Sequence, residues 1–271
     1  MRITRFAAGD EVSYGLVGTA RAGPAAGGEV IAELAGHPFG GGRDAIRLTG
    51  TTYLLDEVRL LAPVLPSKVI GFAPRPPGPA GPADDGLDDR SVMYLKPSTA
   101  VCGPSDAIWY PALTERLEAV GALAVVIGRL CRQVTPEQAA AVIVGYACAL
   151  DVTAADLRER DGQWSRATGF DTFCPLGPWI ETEAGQASLE LVTSVNGQVR
   201  ERAKVPAPGR DAAALVASAS NVMTLLPGDV LLAGVPVGPA GAGGVALKCG
   251  DEVSVSIEAI GTLTNRVGQG D

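Results

Sequence analysis

The chain has 271 residues, 46% of them hydrophobic and 19% charged, with a formal net charge of -8. That length holds an ample core, arranged as one large domain or as a small one beside a large one. The acidic balance argues against a nucleic-acid or anionic-membrane surface, since phosphate binding needs clustered Lys and Arg, and leaves a small neutral or organic molecule as the expected partner.

No run of about 18 apolar residues is present, and the apolar segment of a signal peptide does not follow Met1-Arg2-Ile3-Thr4-Arg5, so a cytoplasmic location is expected. The five cysteines (Cys102, Cys131, Cys148, Cys174 and Cys249) are odd in number, widely spaced and without a CxxC pair. Buried free thiols are the expectation. His37 is the one histidine, which removes most His-based triads and His-rich metal sites.

Residues 1 to about 60 alternate short β-like runs (Ile3 to Phe6, Val12 to Val17, Ile46 to Leu48) with turns such as Gly40-Gly41-Gly42. His37, between Gly36 and Pro38, reads as a loop residue. Val69-Ile70-Gly71-Phe72 reads as a strand. Pro74, Pro76, Pro77, Pro79 and Pro82 follow and forbid a helix, each at about 3 kcal/mol in a helix interior. That segment is either a surface loop or a rigid lid.

Tyr94-Leu95-Lys96 reads as a strand, with Lys96 either in a pocket or facing solvent. Leu123 to Gly128 is an apolar strand-like run. Thr135 followed by Pro136 predicts a capped helix over Pro136 to Val144. Asn196-Gly197 between Leu189 to Val195 and Gln198 to Arg202 predicts a hairpin. Asp211 to Val222 reads as a helix of small residues, Val230 to Ala233 and Glu252 to Ile257 as core strands, and Gly241 to Gly244 as a flexible loop.

Four stretches stand in a consistent order: Tyr94-Leu95-Lys96-Pro97-Ser98-Thr99-Ala100, Gly145 to Asp156, Gly162-Gln163-Trp164 through Phe170-Asp171-Thr172-Phe173-Cys174-Pro175-Leu176-Gly177-Pro178-Trp179, and Leu226-Pro227-Gly228-Asp229 through Pro236. Together, across residues 65 to 267, they resemble the fumarylacetoacetate hydrolase superfamily. The resemblance implies an α+β fold, a fumarylacetoacetate hydrolase-like mixed β-sandwich or β-roll. A small N-terminal β domain would cover residues 1–64 and the main domain residues 65–271. It also implies a homodimer.

In that family a Glu-x-Glu pair on a strand and a later Asp hold Mg²⁺ or Mn²⁺, because alternate strand residues face one side and converge on a hard cation. By resemblance those positions are Val120, Ala122 and Asp151, of which only Asp151 has an oxygen to offer. Glu118 shares their face but stands about 6.6 Å further along the strand. The family's lid His is missing, its catalytic Lys is replaced at Thr168, its Gly-Thr-Pro is Gly234-Val235-Pro236, and its Gln after the metal Asp is Arg158. No metal and no cofactor are therefore expected. Arg158 would balance Asp151 if the segment between them were helical, since positions 151 and 158 then share a face; otherwise it is a solvated arginine.

The expected pocket has Val120, Ala122 and Val235 as its apolar floor and Tyr94, Lys96, Asp151, Arg158, Gln163, Trp164 and Thr168 as its polar and aromatic lining. Trp164 either meets substrate or anchors its loop by packing. The leading expectation is a metal-independent enzyme promoting isomerisation, cyclisation or a pericyclic step on an apolar enone- or enol-bearing molecule, as in secondary metabolism. Lys96, Tyr94 or Arg158 would donate hydrogen bonds, and Asp151 would act as orienter or base. The alternatives are a metal-dependent hydrolase or decarboxylase of 2,4-dioxo acids with relocated ligands, and a non-catalytic binding or partner subunit.

Overall fold

The computed structural model describes residues 1–20, 27–39, 46–73, 92–184, 189–206, 211–234 and 244–270. The Gly40-Gly41-Gly42 turn, the proline-rich segment from Pro74 to Pro82, Val235 and most of the Gly241 to Gly244 loop lie outside them.

The N-terminal part supplies β1 (Arg2–Ala8), β2 (Glu11–Thr19), β3 (Glu29–Leu34), β4 (Leu48–Leu54) and β5 (Arg59–Leu61). Next come β6 (Val69–Ala73), β7 (Val92–Lys96), β8 (Val101–Cys102), β9 (Ala107–Tyr110) and β10 (Leu117–Ile127). Helix α1 (Pro136–Ala139) leads into β11 (Ile143–Ala154), and α2 (Ala155–Asp161) and α3 (Ser165–Thr168) lead into β12 (Cys174–Glu181). The chain continues as β13 (Leu189–Val195), β14 (Gln198–Val205), α4 (Ala212–Val222), β15 (Val230–Gly234), β16 (Val245–Leu247), β17 (Glu252–Ile257) and β18 (Gly261–Gln269).

Ten strands form a path in the order β4-β3-β2-β1-β12-β11-β10-β15-β6-β7, and β16, β5 and β8 pair with β10, β1 and β12 to complete a thirteen-stranded sheet. A second sheet runs β14-β13-β17-β18-β9. Strand pairs are antiparallel except β15 with β6, β8 with β12 and β9 with β18.

The long strands β10 and β11 are buried on both faces, and this is why their sequences read as apolar runs rather than alternating ones. One face (Leu123, Val125, Cys148, Leu150, Val152) packs on Leu191, Val253, Val255 and Ile257 of the second sheet. At Gly121 the sheets approach so closely that a Cβ would lie 2.4 Å from Thr193 Oγ1. The other face (Ala122, Ala124, Val126, Ala147, Ala149) packs on Val69, Cys174, Leu176, Val230 and Leu232. Each large aliphatic side chain buried this way contributes about 1.5–3 kcal/mol. A third cluster joins Phe6, Val17 and Ile31 to Trp179.

Local signals hold where chemistry fixes the backbone. Asn196 (φ 51°) and Gly197 (φ 73°) both take the left-handed conformation of a type I′ hairpin turn. Asp211 Oδ1 caps α4 by accepting from Ala214 N at 2.8 Å.

Three expectations are corrected. The helix predicted over Pro136 to Val144 stops at Ala139, although Thr135 and Gln138 form a full capping box. The β-branched run Val142-Ile143-Val144 is taken by the sheet, where Ile143 pairs with Ile127 and Gly128 N bonds to Val142 O at 2.7 Å. The strand expected at Ile46 to Leu48 begins only at Leu48, because pairing with β3 starts at Leu34↔Leu48. Four of the cysteines are buried and free, as expected, but Cys249 is free and exposed.

Candidate active site

In the β10–β11 ladder Glu118 stands opposite Thr153, Val120 opposite Asp151, and Ala122 opposite Ala149. Directly paired residues point to the same side, so Glu118, Val120 and Ala122 share a face with Asp151 and Thr153. Alternate residues of β7 contribute Tyr94 and Lys96. Three strands (β10, β15 and β6) lie between β11 and β7 in the sheet order, so these side chains reach Asp151 only because the sheet rolls over on itself.

Lys96 is fully buried. Its ammonium donates to the carbonyls of Val152 (2.8 Å), Phe173 (3.0 Å) and Thr168 (3.2 Å). Three protons serve three carbonyls, so Asp151 Oδ1, also 2.8 Å from Nζ, is held by charge and makes no hydrogen bond of its own. The Tyr94 hydroxyl donates to Asp151 Oδ2. Burial first, then the Asp151 charge and hydrogen bond, hold the phenol well above its ordinary range, so it carries its proton.

Tyr94 lies flat on Trp164, with ring centroids 4.6 Å apart and planes at 12°. The Arg158 guanidinium covers the Trp164 ring at 5.1 Å. Arg158 sits on α2 and is half-buried. The helical route from Asp151 to Arg158 is corrected: residues 151–154 are still strand and α2 begins at Ala155. Lys96 is a counter-charge of Asp151 that the sequence reading did not pair with it.

The other expected residues divide by exposure. Gln163 is exposed and its Oε1 accepts from Ser165 N at 2.7 Å. Thr168 is fully buried, with its hydroxyl bonded to the Trp164 carbonyl at 3.0 Å. Ala122 is fully buried in the apolar layer, while Val120 is half-buried.

Sequence reasoning missed several contributors. The carbonyls of Val152 and Phe173 carry no side-chain signal. Cys174 sits beside the ion pair, and burial pushes its thiol up to about 12, with Lys96 pulling it down and Asp151 pushing it up. Gly71 pairs with Tyr94, and a Cβ there would fall 2.1 Å from the phenol ring. A glycine inside a predicted strand was the available sign of such close approach.

The donor set does not fit the family's divalent cation. Both oxygens of Asp151 are engaged, Val120 and Ala122 offer none, and Glu118 faces Arg116 at 3.4 Å. Among the described residues no three His, Cys, Asp or Glu side chains converge. Oxygen-ligated Mg²⁺ or Mn²⁺ needs such convergence.

Comparison with known proteins places this geometry. A family model for the fumarylacetoacetate (FAA) hydrolase C-terminal region matches residues 79–268, and one for the Rv2993c-like N-terminal region matches residues 1–63. Protein Rv2993c of Mycobacterium tuberculosis is 43% identical over 277 residues, covering 98% of each chain. The crystal structure of 5-carboxymethyl-2-hydroxymuconate delta-isomerase from Mycobacterium smegmatis matches with a TM-score of 0.86 and 43% identity over 100% of both chains. Oxaloacetate tautomerase Fahd2a, mitochondrial, of Rattus norvegicus is 34% identical over 218 residues, 78% of this chain and 70% of its own. The chain, with its rolled sheet and buried Lys96–Asp151 pair, belongs to the fumarylacetoacetate hydrolase family.

Proposed function

We propose that this chain is a metal-independent isomerase that relocates a proton on an enone- or enol-bearing small molecule. The observation that carries this reading is a carboxylate, Asp151, gripped by a phenol and an ammonium where the family's cation cage would stand. The names of two relatives, an isomerase and a tautomerase, support the same class of chemistry.

Asp151 is the base, with 12% of its side-chain surface open. Tyr94 and Lys96 hold it in place; because all three Lys96 protons go to the backbone, Lys96 is a positioning residue. Arg158 donates to the substrate carbonyl and stabilises the enolate oxygen. Val120 provides the apolar floor with Ala122 beneath, Gln163 and Trp164 shape the wall, and Thr168 braces Trp164 from behind through its carbonyl.

The test uses 2-oxopent-4-enoate, a β,γ-unsaturated 2-oxo acid, in D₂O containing EDTA. NMR should show C3 proton exchange and appearance of the conjugated isomer above the uncatalysed rates, with Asp151→Asn lowering both by about 10²-fold or more. Complete loss of activity on chelation, restored by Mg²⁺ or Mn²⁺, would sink the reading.

A further inference from the structure

We propose that Glu118 is the second proton-transfer residue of this site, the acid that completes the isomerisation begun by Asp151. The assignment rests on the isomerase reading above. A proton that leaves one carbon and arrives at another passes through a base and then an acid; with Asp151 held in place by Lys96 and Tyr94, a second carboxyl on the same face takes the acid role.

The geometry comes from the ladder. Glu118 pairs with Thr153 and Asp151 with Val120, which makes Glu118 and Asp151 diagonal neighbours on one face of adjacent strands. Such pairs have Cα atoms about 7–8 Å apart, with Cβ atoms somewhat closer, and the half-buried Val120 adjoins both. On its other flank Glu118 pairs with Ala246 of β16. The backbone at Gly244 lies against it: a Cβ there would come within 2.7 Å of Glu118 Cβ and 3.3 Å of Oε2.

The surroundings differ from those of Asp151. Arg116 lies 3.4 Å from Glu118 Oε1, and Arg158 and Glu159 face it from α2. Burial raises the Glu118 carboxyl above its ordinary range, with Arg158 and Arg116 pulling it back and Glu159 pushing it up. Asp151, by contrast, is clamped by an ammonium and a phenol. Two carboxyls in contrasting settings are the usual sign of divided acid and base roles. With 16% of its side chain exposed, Glu118 also exchanges protons with water.

In the balanced step Asp151 takes a proton from the carbon beside the carbonyl, and the C–H pair becomes the new C=C of a dienolate. The distal carbon then takes the Glu118 proton, the former C=C pair forms that C–H bond, and the carbonyl returns. Asp151 ends protonated and Glu118 ionised, and proton exchange with water resets both.

Glu118→Gln separates the half-reactions. With 2-oxopent-4-enoate in D₂O the variant should exchange the C3 proton within about threefold of the wild-type rate, while conjugated-isomer formation falls about 10²-fold. Glu118→Asp, which keeps the acid, should recover part of the isomerisation, and circular dichroism should show both variants folded. Loss of neither activity in Glu118→Gln, or equal loss of both, overturns the assignment. A wild type that neither exchanges nor isomerises overturns the isomerase reading and this assignment with it.

Discussion

Lys96 has no solvent and no spare proton, so its charge answers only to Asp151 and to three carbonyl dipoles. Replacing it by Met keeps most of the volume but leaves Asp151 half of a broken buried pair and three carbonyls without a donor. The expected loss is about 3–5 kcal/mol, the range for breaking a buried ion pair, read by urea unfolding. Asp151→Asn in the Lys96→Met background should return part of it, because the uncompensated negative charge is gone. If the single variant unfolds like the wild type, the pair is ornamental and the site argument built on it fails. The same reasoning fixes Tyr94 as a phenol across the neutral range, since its environment opposes ionisation.

At the scale of strands, Tyr94 is aimed by what lies beneath it as much as by its own hydrogen bond. Gly71 on β6 leaves the space that the phenol fills, and a methyl group at that position would overlap the ring and its hydroxyl, 2.4 Å away. Gly71→Ala should lift Tyr94 off Asp151 and off Trp164, lowering isomerase turnover more than Tyr94→Phe, which removes one hydrogen bond but keeps the stack. Equal turnover in Gly71→Ala and wild type would mean that the ring is placed by other contacts. This contrast also marks how far the sequence can be read. Asn196-Gly197, Thr135-Pro136 and the apolar runs of β10 and β11 announce their structures because turn geometry, capping and burial act over a few neighbours. The Lys96–Asp151 clamp was not legible, because it depends on a roll that brings β7 across three intervening strands. Arg158 was placed on the wrong geometric footing for a related reason: β11 keeps its ladder with β10 through Ala154, and helix periodicity begins only afterwards.

For the molecule as a whole, the two apolar layers on either side of β10 and β11 either open together or separately, and the cysteines report which. Cys148 lies in the layer between the sheets and Cys174 in the layer that floors the site. Burial pushes each thiol up to about 12, so at pH 8 only about one in 10⁴ is the reactive thiolate even before access is considered. Cys102 and Cys131 are buried and raised as well, whereas Cys249 is exposed. Native protein should therefore react at one thiol with a disulfide reagent, Cys249, and at the other four only in denaturant. A single cooperative unit predicts that Cys148 and Cys174 become reactive at the same urea concentration, because the central strands are shared by both layers. Labelling of Cys174 at lower urea than Cys148, followed by peptide mass spectrometry, would show that the site-bearing layer opens by itself. Asp151 would then sit in a region that samples open states ahead of global unfolding, and its fixed geometry would be a property of only part of the native ensemble.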